Sequence, residues 1–338
     1  MQRNYDFDLT HERKNKNIFI ILIPLLILVI ALAWLGNNIF KISNQLMTRE
    51  GEAFNPIASH LMPSFEEYQF NSFGSDLKLK GWFFKAKSAA RGNVILVHSN
   101  GYHRLQYGLD SAELIQFLMD ESFNVLAFDL RHSGLSEGSH STYGYSEYKD
   151  VQGALQFVAK LSGQTNFILY GFGSGVSANL LAWDELKDRP IDENDIQKDR
   201  DEGITVYKDD IEAILCDSPP ASVDEYIRAD LNPKSRMSQL VYLDFVPRAL
   251  RLSSGSSAAN NLIPLASQYP GPMMITRNLP DLLVSDASIN AFIDERLRLN
   301  PATTMVFEIR EAGHMNGYLL SKEDYLNNLK LFFDQWFD

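Results

Sequence analysis

Apolar residues fill the chain from Ile18 to Leu35 almost without a break, and no charged residue stands between Lys16 and Lys41. Roughly 20 such residues cross a bilayer as a helix, so the pattern predicts a transmembrane helix over residues 18–40. Pro24 is tolerated in such a helix. Arg3, Arg13, Lys14 and Lys16 precede the run, and Lys41 and Arg49 follow it. Basic residues concentrate on the cytoplasmic side of a membrane helix. Residues 1–17 are therefore expected in the cytoplasm, in a single-pass membrane protein whose C-terminal domain is extracytoplasmic. Ala31-Leu32-Ala33 has the small-x-small form of a signal-peptidase site. The run is long for a signal peptide, however, and continues through Trp34-Leu35, which favours an anchor. Residues 41–64 read as a polar stalk.

Beyond the stalk the pattern changes. Phe65–Phe73 and Leu77–Ala86 alternate apolar and polar residues, as an antiparallel edge pair does. Asn93–His98, Asn124–Asp129, Asn166–Tyr170 and Ile211–Cys216 are continuous apolar runs of the kind buried on both faces of a sheet. Pro272–Thr276 and Thr304–Ile309 are two further strands. Helical spacing marks Leu109–Asp120, Tyr145–Leu161, Ser174–Leu186 and the closing segment Leu319–Phe337. Strands and helices in this alternation predict an α/β domain over residues 65–338, with a mostly parallel sheet covered on both faces. Lys187–Asp210 is charge-dense and reads as a solvated insertion. Residues 226–269 mix helical pieces, such as Met237–Leu252, with the loop Ser253–Ser257, and occupy the place of a lid.

Composition narrows the partners. Lys and Arg number 31 against 43 Asp and Glu, a formal charge of -12. An acidic chain with no basic run after its first segment argues against nucleic acid. The single cysteine, Cys216, lies within a predicted buried strand and reads as a core residue. No His/Cys spacing suggests a metal, and no cofactor is expected.

Ligands of open α/β sheets gather beyond the carboxyl ends of the strands. Four stretches fall there: His98-Ser99-Asn100-Gly101, Asp129–Ser136, Gly171-Phe172-Gly173-Ser174-Gly175, and Asp281 together with His314 in Gly313-His314. In this order they resemble the α/β-hydrolase family, in particular its lid-bearing serine hydrolases with esterase, lipase or peptidase activity. The resemblance runs from about residue 65 to the end. It implies that His98-Ser99-Asn100 is the oxyanion loop, with Ser99 in place of glycine. Asp129-x-Arg131-x-x-Gly134-x-Ser136 matches a common family motif and reads as a structural network. Asp281 and His314 take the places of the family acid and base.

The departure is at the strand-to-helix turn. The family pattern is Gly-x-Ser-x-Gly; with Gly171 and Gly175 as the flanking glycines, Gly173 stands at the nucleophile position. Making Ser174 the nucleophile puts Phe172 and Val176 at the small positions. In the aligned frame the Ser174 backbone N–H and Asn100 serve the oxyanion hole. A dinucleotide-binding Gly-x-Gly-x-x-Gly would need glycine at 176, where valine stands. Two readings remain open. One is a membrane-anchored hydrolase of small-molecule, lipid or peptide esters and amides, acting through Ser174 or through water activated by His314. The other is a catalytically inactive binding or scaffold protein at the cell surface, supported by Gly173, Ser99 and the altered Arg277-Asn278 stretch.

Overall fold

The structure, a computed structural model, describes residues 10–231, 236–256 and 261–337. Of the features above, Arg3 and the rest of residues 1–9, and Ser257 of the lid loop, lie outside the described residues.

Helix α1 (Thr10–Met47) is a single 38-residue helix. Among the described residues it is the one helix long and apolar enough to cross a membrane. Its side chains from Phe19 to Trp34 face outward. The helix does not end at residue 40, and the segment after it is no free stalk. Ile39, Ser43 and Met47, spaced four apart on one face, are buried, and Leu35, Ile42 and Leu46 pack partly buried beside them. No Gly or Pro interrupts residues 37–47, so nothing stops the helix from continuing onto the domain surface. A 3-10 turn over Pro56–Leu61, capped by Asn55, follows.

The sheet has eight strands: β1 (Glu66–Asn71), β2 (Lys78–Phe84), β3 (Gly92–Val97), β4 (Phe123–Phe128), β5 (Phe167–Phe172), β6 (Ile211–Asp217), β7 (Met273–Asn278) and β8 (Thr304–Ile309). Their order across the sheet is β1-β2-β4-β3-β5-β6-β7-β8. β1 pairs with β2, and β2 with β4, antiparallel; all other pairings are parallel. The alternating edge pair and the continuous apolar runs thus take the positions their patterns require. β3, β4 and β5 are buried at every residue.

Helices α2 (Ser111–Asp120), α3 (Tyr148–Ser162), α4 (Ser174–Asp184), α9 (Asp286–Leu299) and α11 (Lys322–Trp336) lie among the strands in sequence and cover the sheet. Two apolar cores result, one against each face. The charge-dense insertion carries a short helix, α5 (Glu193–Asp201), with Asp192 as its N-cap. Among the described residues the lid segment forms three helices: α6 (Val223–Leu231), α7 (Arg236–Ser253) and α8 (Leu262–Gln268). The short α10 (Gly317–Leu320) follows the loop that bears His314.

Candidate active site

Gly173 forms the bend between β5 and α4, at φ 53° and ψ −118°. A side chain at this φ is strained. Its neighbours need to be glycine for space. A Cβ on Gly171 would stand 2.7 Å from the Val176 nitrogen, and one on Gly175 would run into the Val97 carbonyl. So Gly171 and Gly175 flank a turn that only small residues allow, and Gly173 is its apex.

His314 is brought to the bend by two linked loops. Leu279 N–H donates to the Ile309 carbonyl and Ala312 N–H to the Leu279 carbonyl, both at 2.8 Å, which ties the loop after β7 to the loop after β8. His314 Nδ1 then lies 2.6 Å from Asp281 Oδ2. The other carboxylate oxygen of Asp281 accepts the Leu283 and Val284 N–H groups. Asp281 does not cap α9; Ser285 does that. With its two oxygens occupied in this way, Asp281 fixes the ring's orientation and holds a proton on Nδ1.

The partner of His314 Nε2 is a tyrosine. Tyr226, on α6, places its hydroxyl 3.1 Å from Nε2 and 3.0 Å from the Ser218 carbonyl. One proton cannot serve both. When the phenol donates to Nε2 the imidazole is neutral; when it donates to Ser218, Nε2 must carry its own proton to keep the contact. Burial, followed by the nearby Asp281 and Asp217, holds the Tyr226 phenol well above its ordinary range, so it remains a phenol.

Ser174, which the sequence offered as a substitute nucleophile, points elsewhere. Its hydroxyl accepts the Asn100 N–H at 2.7 Å and lies 3.4 Å from the Ser99 hydroxyl. Both partners belong to the loop after β3. The physical reason is the frame: as the first residue of α4, its side chain is turned away from the bend. The Ser174 N–H in turn donates to Ser99 Oγ at 3.3 Å, and the Ser99 N–H to Gln106 Oε1 at 2.8 Å. Asn100 and the Ser174 backbone therefore do converge beside Gly173. Their N–H groups are occupied by the protein's own hydroxyls.

The surrounding histidine and carboxylates are structural. His98 Nε2 accepts the Leu130 N–H at 3.0 Å, which leaves Nδ1 to donate to the Ser99 carbonyl at 2.8 Å. Burial pushes its pKa down to about 4. Asp129 pairs with Arg104 and accepts the Leu135 N–H; burial opposes its charge, but those contacts hold its carboxyl below the usual range. Arg131 pairs instead with Asp150. A Cβ on Gly134 would collide with the Asp129 carboxylate.

Two contributors were not among the site residues the sequence offered, although Asp217 lies in Cys216-Asp217-Ser218-Pro219, a stretch that resembles the family's approach to the lid. Tyr226 marked only the start of the lid, and its reach to His314 is purely tertiary. Asp217, fully buried at the end of β6, accepts from Tyr107, Tyr325 and Asn278. Asn278 also donates to Ser218 Oγ, which in turn accepts the Met315 N–H. The altered Arg277-Asn278 stretch thus supplies a brace for the His314 loop.

No family model matches the chain. The uncharacterized protein YfhR of Escherichia coli O157:H7 is 33% identical over 110 residues, which make up 31% of this chain and 37% of that protein. The chain therefore matches little more than a third of the length of that relative. Among solved structures, the Pyrococcus furiosus esterase Pf2001 superposes with a TM-score of 0.64 at 18% identity, covering 86% of this chain and 99% of that one. Est1E from Butyrivibrio proteoclasticus, solved with ferulic acid bound, gives 0.57 at 16% identity over 80% of this chain and 98% of its own. The α/β hydrolase GrgF from Penicillium sp. sh18 gives 0.56 at 14% identity over 81% and 99%. These likenesses establish the fold.

Proposed function

We propose that this chain, a protein of the α/β-hydrolase fold, is a membrane-anchored binding or scaffold protein that has lost serine-dependent hydrolysis. The observation that carries the reading is the self-occupied carbonyl site. Acyl transfer in this fold needs a hydroxyl at the bend, a base within reach of it, and two free N–H donors for the oxyanion. Gly173 provides no hydroxyl. Ser99 Oγ caps the Ser174 N–H, Ser174 Oγ caps the Asn100 N–H, and Tyr226 covers Nε2 of His314. The hydroxyl is missing, and the base and both donors are occupied by internal groups instead of a substrate. In this reading α1 anchors the domain, with residues 1–17 in the cytoplasm and the domain outside, as the flanking charges suggest.

A fluorophosphonate probe followed by peptide mapping tests the proposal. The expected result is no labelled serine in the native chain and no hydrolysis of p-nitrophenyl esters above that of the His314→Ala variant. A label on Ser174 that disappears in Ser174→Ala would overturn it.

The retained His314–Asp281 pair at 2.6 Å favours a second reading, hydrolysis of an ester, amide or lipid by water activated at Nε2. That reading requires Tyr226 to swing off the ring. It predicts turnover that His314→Ala abolishes and Ser174→Ala leaves intact.

A further inference from the structure

We propose that the N-terminal turns of α7 rest on the lipid bilayer, making Leu240 and Phe245 a second membrane contact beside α1. The inference rests on the anchor reading given above. α1 has no loose linker: Leu35 is already packed against the domain core, and Ile39 is buried. The apolar run therefore ends where docking begins. Ile18 to Leu35 cover about 27 Å at 1.5 Å per residue, close to the ~30 Å hydrocarbon core of a bilayer. Trp34, 65% exposed, stands at the end of that run, the depth at which indole rings partition. The domain surface next to it lies at headgroup level.

α7 is the element that packs along α1. Asn44 and Met47, at the far end of α1, line the same depression as Ser253 and Ser254, at the far end of α7. With those ends together, the first turns of α7 run back toward the apolar run. There Leu240 is 66% exposed and Phe245 47% exposed, with the Arg248 guanidinium over the Phe245 ring at 5.3 Å. Leucine, then an aromatic ring, then a cation is the order of side chains expected from the hydrocarbon edge to the headgroups. Leu252 is equally exposed at 65%, but it lies about 18 Å farther along the same helix. It provides a matched apolar position away from the membrane.

Cys216 is buried and is the chain's only cysteine, so single cysteines can be labelled selectively in the full chain. Ile27→Cys, Leu240→Cys and Leu252→Cys, each carrying an environment-sensitive fluorophore, are reconstituted in vesicles of phosphatidylcholine and phosphatidylglycerol that contain a nitroxide-bearing lipid. The expected result is loss of emission at Ile27 and Leu240, and retained emission at Leu252. Equal emission from Leu240 and Leu252 with Ile27 quenched overturns the contact while leaving the anchor in place. An unquenched Ile27 label removes the anchor reading itself. Energy transfer between Leu240 labels on different chains without lipid quenching assigns the face to a second copy and also overturns the proposal. Phe245→Cys gives a second position if Leu240→Cys does not fold.

Discussion

The hydroxyl of Ser99 lies where a side chain on Gly173 would begin: a Cβ at 173 would stand 2.6 Å from Ser99 Oγ. These two residues are the two most visible departures from the serine-hydrolase pattern, and in space they are one change. Ser99 fills the room that Gly173 leaves, and its oxygen accepts the Ser174 N–H. A glycine at 99 with a glycine at 173 would leave a buried void with an unpartnered donor, which costs free energy.

Placing serine at 173 is therefore expected to be poorly tolerated by itself. The new Cβ would also meet Met315 Sδ at 2.7 Å and the Tyr226 hydroxyl at 2.9 Å. Overpacking of this kind costs about 1–3 kcal/mol. Gly173→Ser is expected to unfold at lower temperature and to react slowly with a fluorophosphonate. Ser99→Gly/Gly173→Ser should recover the part of the loss that comes from the Ser99 contact, while the Met315 and Tyr226 contacts remain, and should take the label at residue 173 faster than the single variant. A single Gly173→Ser variant that is fully stable and fully reactive would break the coupling.

Tyr226→Phe removes the one hydroxyl in contact with His314 Nε2. It leaves the Ser218 carbonyl without that donor as well. The expected stability loss is about 1–2 kcal/mol, that of a buried hydrogen bond. Diethyl pyrocarbonate should modify His314 faster in the variant than in the native chain, read by mass spectrometry of the peptide bearing residue 314. Equal rates would mean that Tyr226 does not cover the ring.

His98 gives the protein a specific acid sensitivity. The unfolded imidazole takes a proton near its ordinary pKa of 6.5, whereas the buried one does so only near about 4. Between those values the unfolded state binds more protons, so stability falls as the pH drops through that window. The full effect is roughly 3 kcal/mol. His98→Gln keeps one acceptor and one donor but cannot titrate. Its destabilisation relative to the native chain should be largest at neutral pH and shrink toward pH ~4.5 in denaturant titrations. A constant difference across that range would show that His98 is not held neutral.

Much of this could be read from one sequence because it depends on local pattern. The runs that became β3 to β6 are mostly apolar because both sheet faces are covered there. Gly171 and Gly175 announce a bend that tolerates no side chain on either flank. Asp281 and His314 follow their strands at legible positions. What the pattern did not reveal depends on contacts between distant segments. Tyr226 reaches His314 only because α6 folds back over the bend. The Ser99–Gly173 relationship joins two loops that never approach each other in sequence. The docking of α1 had a faint local trace: Ile39, Ser43 and Met47 repeat every four residues, but the intervening polar residues suggested a stalk.

That docking stripe contains an unusual member. Ser43 is fully buried in the interface between α1 and the domain, and among the described residues its hydroxyl has no hydrogen-bond partner. A buried hydroxyl without a partner forfeits its hydration and gains nothing in return. Ser43→Ala is therefore expected to leave the fold intact and raise the stability of the full chain in detergent by up to about 1 kcal/mol. Met47→Ala, four residues on, removes apolar packing and should cost about 2–3 kcal/mol in the same thermal unfolding measurement. The contrast separates a docked helix from a tethered one. On a free stalk both changes would be silent, because neither residue would be buried against anything. If both leave the unfolding temperature unchanged, α1 does not pack on the domain. The bilayer contact proposed for α7, which depends on that packing, would then lose its geometric basis.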